Sequence, residues 1–101
     1  MPFVLVFGVM ADKDVEVMTR ILFPLAQSVV LTRAPTERAA APEEIARRAG
    51  EAARRAKMEA NPRRALALAR RLAPAGGQVV VAGSLYLVGE ITRILRTARR
   101  A

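Results

Sequence analysis

Apolar positions along this chain come in blocks of two different periods. Phe3 to Phe7 (FVLVF) is a continuous apolar run ending at Gly8, the pattern of a strand buried on both faces. From Asp14 the period changes. Val15, Met18, Ile21, Leu22 and Leu25 recur at spacings of three and four, which predicts a helix with Asp14 as N-cap, Glu16 in its first turn and Pro24 near its end. Ser28 to Thr32 (SVVLT) predicts a second, β-branched strand. After a loop from Arg33 to Ala41, Pro42 followed by Glu43 and Glu44 predicts the next helix, which Gly50 interrupts or ends. Residues 51–60 stay open between helix, by propensity, and a short strand around 57–59. Asn61-Pro62 predicts an N-cap and first position for a helix carrying Ala65, Leu66, Leu68, Ala69 and Leu72, stopped by Pro74. Val79 to Ala82 predicts a third strand ending at Gly83. Ser84 then caps a last helix whose buried face is Leu85, Val88, Ile91 and Leu95, with Leu87 and Ile94 beside them.

Strands alternating with helices imply βαβ units, hence an α/β fold with a mostly parallel sheet of three to four strands and right-handed crossovers. With 101 residues, 52% of them hydrophobic, the chain is expected to form a single domain, 1–101, around one core. No run approaches the roughly twenty apolar residues that cross a bilayer, and the apolar start lacks a basic leader. The expectation is a cytoplasmic protein with no membrane partner.

Composition narrows the chemistry. The chain has no Cys, His or Trp, so thiol nucleophiles, thiolate or imidazole metal sites, and His-based triads are all excluded. Its only serines, Ser28 and Ser84, sit outside any G-x-S-x-G elbow, and no Walker-type phosphate loop is present. Seven of the net +8 charges belong to residues 61–101. Arg63–Arg64 and Arg70–Arg71 share one helix face, and Arg93, Arg96, Arg99 and Arg100 crowd the C-terminal end of the last helix. A solvated face is the first reading of these stripes. A basic nucleic-acid-binding module using residues 63–71 and 93–100 is the alternative, disfavoured by the lack of interleaved aromatics. In residues 42–60 the charges fall into the i,i+4 pairs Glu43–Arg47, Glu44–Arg48 and Glu51–Arg55, which reads as a solvated helix.

In open α/β sheets ligands bind beyond the carboxyl ends of the strands. Three segments fall there: Gly8 to Asp14, Thr32 to Arg38, and Gly83-Ser84. Together they bring a carboxylate, an ammonium, a guanidinium, a hydroxyl and helix-start amides, a set suited to an anionic ligand with hydroxyls. Each also has a structural reading. Asp12 and Asp14 compete as N-caps, Lys13 is a solvated charge, Ser84 is an N-cap, and Arg38 pairs with Glu37 or Glu43.

The segments VFGVMADKDVEVM, LTRAPTERAAAPEEIA and VVVAGSLYLVGEI resemble, in that order, the C-terminal domain of the folylpolyglutamate synthase/dihydrofolate synthase family of the Mur ligase superfamily. GSLYLVGE is the most specific of the three, and the stretch around 50–62 matches poorly. The resemblance implies a Rossmann-like three-layer domain, here without its first strand–helix unit. That unit carries a D-G-A-H-N-P segment absent from this chain. Family members join glutamate to folate, or to its glutamate tail, through an acyl phosphate made from ATP with Mg²⁺, and their P-loop ATPase domain precedes this one. The resemblance puts Asp12 near the ATP ribose, Lys13 near the phosphates, and Arg38 and Ser84 near the incoming glutamate. Related ligases carry D-N-P-R where this chain has Pro35-Thr36-Glu37-Arg38. The chain therefore looks like about a quarter of such an enzyme, inactive by itself, with either an N-terminal ATPase domain or a second copy as partner.

Overall fold

The computed structural model describes residues 2–100, with backbone alone for 99 and 100. The chain runs β1 (Phe3–Phe7), α1 (Val15–Leu22), β2 (Ser28–Leu31), α2 (Pro42–Ala49), β3 (Lys57–Met58), α3 (Pro62–Leu72), β4 (Gln78–Ala82) and α4 (Leu85–Arg100). Short 3₁₀ turns follow α1 at Phe23–Leu25 and α2 at Gly50–Ala53. All four strands are parallel, in the order β3-β2-β1-β4. This is the expected α/β fold, and the open stretch 51–60 resolves into a turn and a strand. Its strand is held by register rather than propensity, with Val30 opposite Lys57 and Leu31 opposite Met58.

Side-chain alternation along the central strands builds two cores. Leu5, Phe7, Val29 and Leu31 pack on the α1/α2 side with Val15, Phe23 and Ile45. There Phe7 and Phe23 meet edge to face, with ring centroids 5.2 Å apart. Val4, Val6 and Val30 pack on the opposite side with Ala65, Leu66, Ala69, Leu87, Ile91 and Ile94. The continuous apolar run of β1 thus reflects burial on both faces, as its pattern predicts.

Two helix faces differ from their predicted ones. In α4 the buried positions are Leu87, Ile91 and Ile94, while Leu85 is 89% exposed and Val88 is exposed as well. At about 100° per residue Leu85 lies on nearly the opposite side of the helix from Leu87. In α1 Ile21 and, beyond it, Leu25 are exposed, and Thr19 is buried in their stead. Its hydroxyl donates to the Glu16 carbonyl at 3.2 Å, which satisfies a polar group without a distant partner. Among the described residues no helix is long and apolar enough to cross a membrane.

Candidate functional site

The three strand-end segments come together at the carboxyl edge of β1 and β4, and glycines let them approach. Gly83 has φ +108°, and a Cβ there would stand 2.5 Å from the Gly8 carbonyl oxygen, so a side chain is excluded on both counts. Gly8 is similarly confined, its missing Cβ lying 3.0 Å from the Thr32 carbonyl oxygen and 3.1 Å from Leu87. Next to Gly8, the segment after β1 runs antiparallel to the loop after β2. Met10 bridges Ala39, the Ala11 N–H donates to the Arg38 carbonyl at 2.8 Å, and the Ala40 N–H donates to the Val9 carbonyl at 2.9 Å. Thr32 anchors the base of that loop, its buried hydroxyl donating to the Ala60 carbonyl at 3.1 Å.

A cleft of about 330 Å³ opens between these segments, lined by Met10, Asp12, Lys13, Arg38, Gly83, Ser84, Leu85 and Tyr86. All four residues singled out from the sequence, Asp12, Lys13, Arg38 and Ser84, therefore share one cleft. Their structural roles are divided. Asp14 is the N-cap of α1, its carboxylate accepting from the Val17 N–H at 3.3 Å, which leaves Asp12 free of capping. Arg38 pairs with neither Glu37 nor Glu43 but donates from Nη2 to Asp12 Oδ2 at 3.0 Å. Ser84 caps α4, its Oγ accepting from the Tyr86 N–H at 3.1 Å, and the hydroxyl proton stays available as a donor. Lys13 is exposed beside them. The set offers one fixed donor plane, one ammonium and one hydroxyl to an anion, and one carboxylate to hydroxyl groups.

Met10 lies in the strand-end segment expected from the sequence, whereas two further lining residues, Leu85 and Tyr86, escaped the sequence reading. Tyr86 is the chain's sole tyrosine and follows the Gly-Ser pair, which was the available signal. Leu85 counted instead as core. Another missed contact is Arg48 of α2, which reaches the Ala11 carbonyl at 2.6 Å.

Charges elsewhere behave as a solvated surface. Arg63, Arg64, Arg70 and Arg71 are exposed on α3, and Arg93 is tied to Glu90 at 2.9 Å. That hydrogen bond holds the Glu90 carboxyl below the usual range, with Arg93 and Arg63 adding to it and partial burial opposing. The side chains of Arg99 and Arg100 lie outside the described residues. Phe7 and Phe23 are core, so they offer no stacking platform beside the Arg stripes. On α2 and the turn after it, Glu44 takes both Arg47 and Arg48, and Glu51 takes Arg54 rather than Arg55. Only Glu44–Arg48 forms among the three expected i,i+4 pairs. A larger hollow of about 650 Å³ lies at the opposite end of the strands, by Gln27, Ser28, Glu51 and Arg54. It holds none of the strand-end groups. Among the described residues no three His, Cys, Asp or Glu side chains converge to hold a metal ion.

Solved structures with the same fold include folylpolyglutamate synthases. One from Mycobacterium tuberculosis, solved with ADP and AMPPCP, is 31% identical, with a TM-score of 0.83 over 92% of this chain and 23% of its own. One from Thermotoga maritima is 28% identical, with a TM-score of 0.79 over 96% of this chain and 22% of its own. Escherichia coli FolC in complex with DHPP and ADP superposes over 100% of this chain and 23% of its own with a TM-score of 0.85, and at 23% identity it speaks for the fold alone. The chain thus spans about a quarter of the length of the structures it matches. No curated protein sequence matches it significantly. The family described as "Mur ligase, glutamate ligase domain" matches residues 2–85, which includes β1, β4, the Asp12–Lys13 turn, Arg38 and Ser84. Motif order, four-strand topology and that match agree: the chain belongs to the Mur ligase glutamate ligase domain family, with the fold of the C-terminal domain of folylpolyglutamate synthases.

Proposed function

We propose that residues 1–101 form one domain that serves as the C-terminal part of an ATP-dependent folate polyglutamylation ligase in the cytoplasm. In this reading Asp12 accepts hydrogen bonds from the ATP ribose, Lys13 faces its phosphates, and Arg38 and Ser84 hold the incoming glutamate. The single observation that carries it is the state of Arg38. Its guanidinium already grips a carboxylate, Asp12, inside a cleft that also holds Lys13 and Ser84. An incoming carboxylate replaces Asp12 on the guanidinium, which releases Asp12 to accept from hydroxyl groups. Exchange of one exposed ion pair for another has a small energetic penalty.

This chain's groups bind and orient. With no His or Cys, they supply neither an imidazole base nor a thiol, and ligation by the isolated chain is not expected. ATP, Mg²⁺ and folate chemistry belong in this reading to an ATPase domain that closes onto the cleft. Magnesium would supply charge neutralisation on the phosphates, and in this reading its ligands come from the ATPase domain.

Titration with Mg-ADP and then glutamate, followed by backbone amide shifts, tests the reading. Residues 8–14 are expected to respond to nucleotide and residues 83–85 to glutamate, and the glutamate response is expected to vanish in Arg38→Ala. No shift at millimolar concentrations of either ligand would overturn this reading of the cleft and leave only the family and fold likeness.

Alone, the chain also presents one open sheet edge. The outer side of β4 is five residues long and carries neither a charge nor a proline, whereas the β3 edge is two residues long and carries Lys57. Natural proteins blunt edges in the second way. A second copy is the occupant that β4 suits, because an uncharged strand meets its own symmetry mate without charge repulsion.

A further inference from the structure

The arginines of the ion pairs are not alike. In five of the six pairs among the described residues the Arg side chain is 59–72% exposed, whereas Arg48 is only 29% exposed. Its Nε donates to Glu44 Oε2 at 2.7 Å, and its Nη1 donates to the Ala11 carbonyl at 2.6 Å, 37 positions away in the chain. Glu44 is aimed in turn by Arg47, whose Nε donates to Oε1 at 2.9 Å. Hydrogen bonds from Arg47 and then Arg48 hold the Glu44 carboxyl down to about 2, so the carboxylate persists through the neutral and mildly acid range.

The far end of this chain of contacts is the ligand cleft. Ala11 is gripped from two sides: its N–H donates to the Arg38 carbonyl and its carbonyl accepts from Arg48. The next two residues are Asp12 and Lys13. Rotation of the Ala11–Asp12 peptide would redirect both side chains, and the Arg48 hydrogen bond opposes that rotation directly. The Nε end of Arg48 is partly buried against Glu44, and its exposed Nη1 makes a charge-assisted hydrogen bond to Ala11, which is stronger than a neutral one. We propose that Arg48 is a positioning residue for the strand-end cleft, holding the Asp12–Lys13 turn in its ligand-facing conformation through the Ala11 carbonyl. Arg48 itself touches no ligand in this arrangement. Its importance for binding rests on the proposed reading of the cleft, whereas its hold on the turn does not.

Two variants of the 101-residue chain test this. Arg48→Met keeps the apolar stem and removes every donor, and Arg48→Lys keeps the charge and one donor group. In Arg48→Met the Ala11 amide is expected to exchange with solvent roughly tenfold faster relative to the Val6 amide of β1. Backbone ¹⁵N order parameters at Asp12 and Lys13 are expected to fall, while those of β1 stay put. Arg48→Lys is expected to recover part of both effects, which a loss of general stability in the Met variant would not explain. An unchanged Ala11-to-Val6 exchange ratio, or order at Asp12 and Lys13 indistinguishable from wild type, overturns the proposal. A parallel Mg-ADP titration separates the two readings. If wild type binds and Arg48→Met binds equally tightly, Arg48 does not position the ligand groups. If wild type itself gives no response, the nucleotide reading of the cleft fails, and the exchange data still decide the role of Arg48.

Discussion

Arg38 and Asp12 neutralise each other across the mouth of the cleft, with both side chains largely in water. Such a pair adds little to stability, so its replacement separates binding from folding. Arg38→Ala is expected to keep the melting temperature within about 3 °C of wild type while it abolishes the glutamate response. A large fall in melting temperature would show Arg38 to be structural. Glu44 makes the opposite kind of prediction. Its carboxyl sits at about 2 in the folded chain against 4.5 ordinarily, so between those values the unfolded chain binds the extra proton. Its stabilising contribution is therefore complete above about pH 4.5 and disappears as the pH falls toward 2. Stability of Glu44→Gln, measured by denaturant titration across that window, is expected to fall less steeply with acidification than that of wild type.

At the scale of elements, helix faces and strand ends decide the outcome of substitutions. Leu87 is fully buried and Leu85 almost fully exposed, two positions apart on α4. Leu87→Ala is expected to destabilise the chain by about 2–5 kcal/mol and Leu85→Ala by less than about 0.5 kcal/mol, read from urea midpoints. Equal effects would mean that α4 is rotated from the position described. Gly83→Ala meets both a left-handed φ and a 2.5 Å approach to the Gly8 carbonyl oxygen, so a loss above about 1 kcal/mol is expected. It should also disturb Ser84, because the turn that bears Gly83 sets where α4 begins. The N-caps Asp14, Asn61 and Ser84 were legible because capping is local chemistry, a side-chain oxygen and an N–H two or three residues on. Buried faces of α1 and α4 were less so. Both helices carry apolar residues around much of their circumference, and periodicity does not say which of those rows meets the sheet.

For the whole molecule, the two edges of the sheet set the expectation. Val80 shares the side of Leu5 in the β1–β4 register, and on that side α1 also leaves Val17 and Ile21 exposed. A strand edge without charge, on a face that also carries exposed apolar side chains, favours association. Sedimentation equilibrium of the 101-residue chain at high micromolar concentration is expected to show a dimer, and Val80→Lys is expected to return it to monomer. A wild-type chain that stays strictly monomeric under those conditions removes the case for a second copy.

The alternation of strand and helix, the parallel sheet, the strand identities of 3–7, 28–32 (one residue longer than β2) and 79–82, and the family likeness were all present in the order of residues. Each depends on local pattern, on apolar period, caps and breakers, or on short motifs. Tertiary structure alone decided the rest: that 57–58 pairs as a strand, that Thr19 is buried while Ile21, Leu25, Leu85 and Val88 are not, and that Arg38 meets Asp12. It also decided that Arg48 reaches Ala11. These depend on which segments the sheet brings into contact, over separations of 26 residues for Arg38–Asp12 and 37 for Arg48–Ala11. A guanidinium bound to a backbone carbonyl leaves no residue-type signature at the carbonyl's position, and so the linear pattern carried no sign of it.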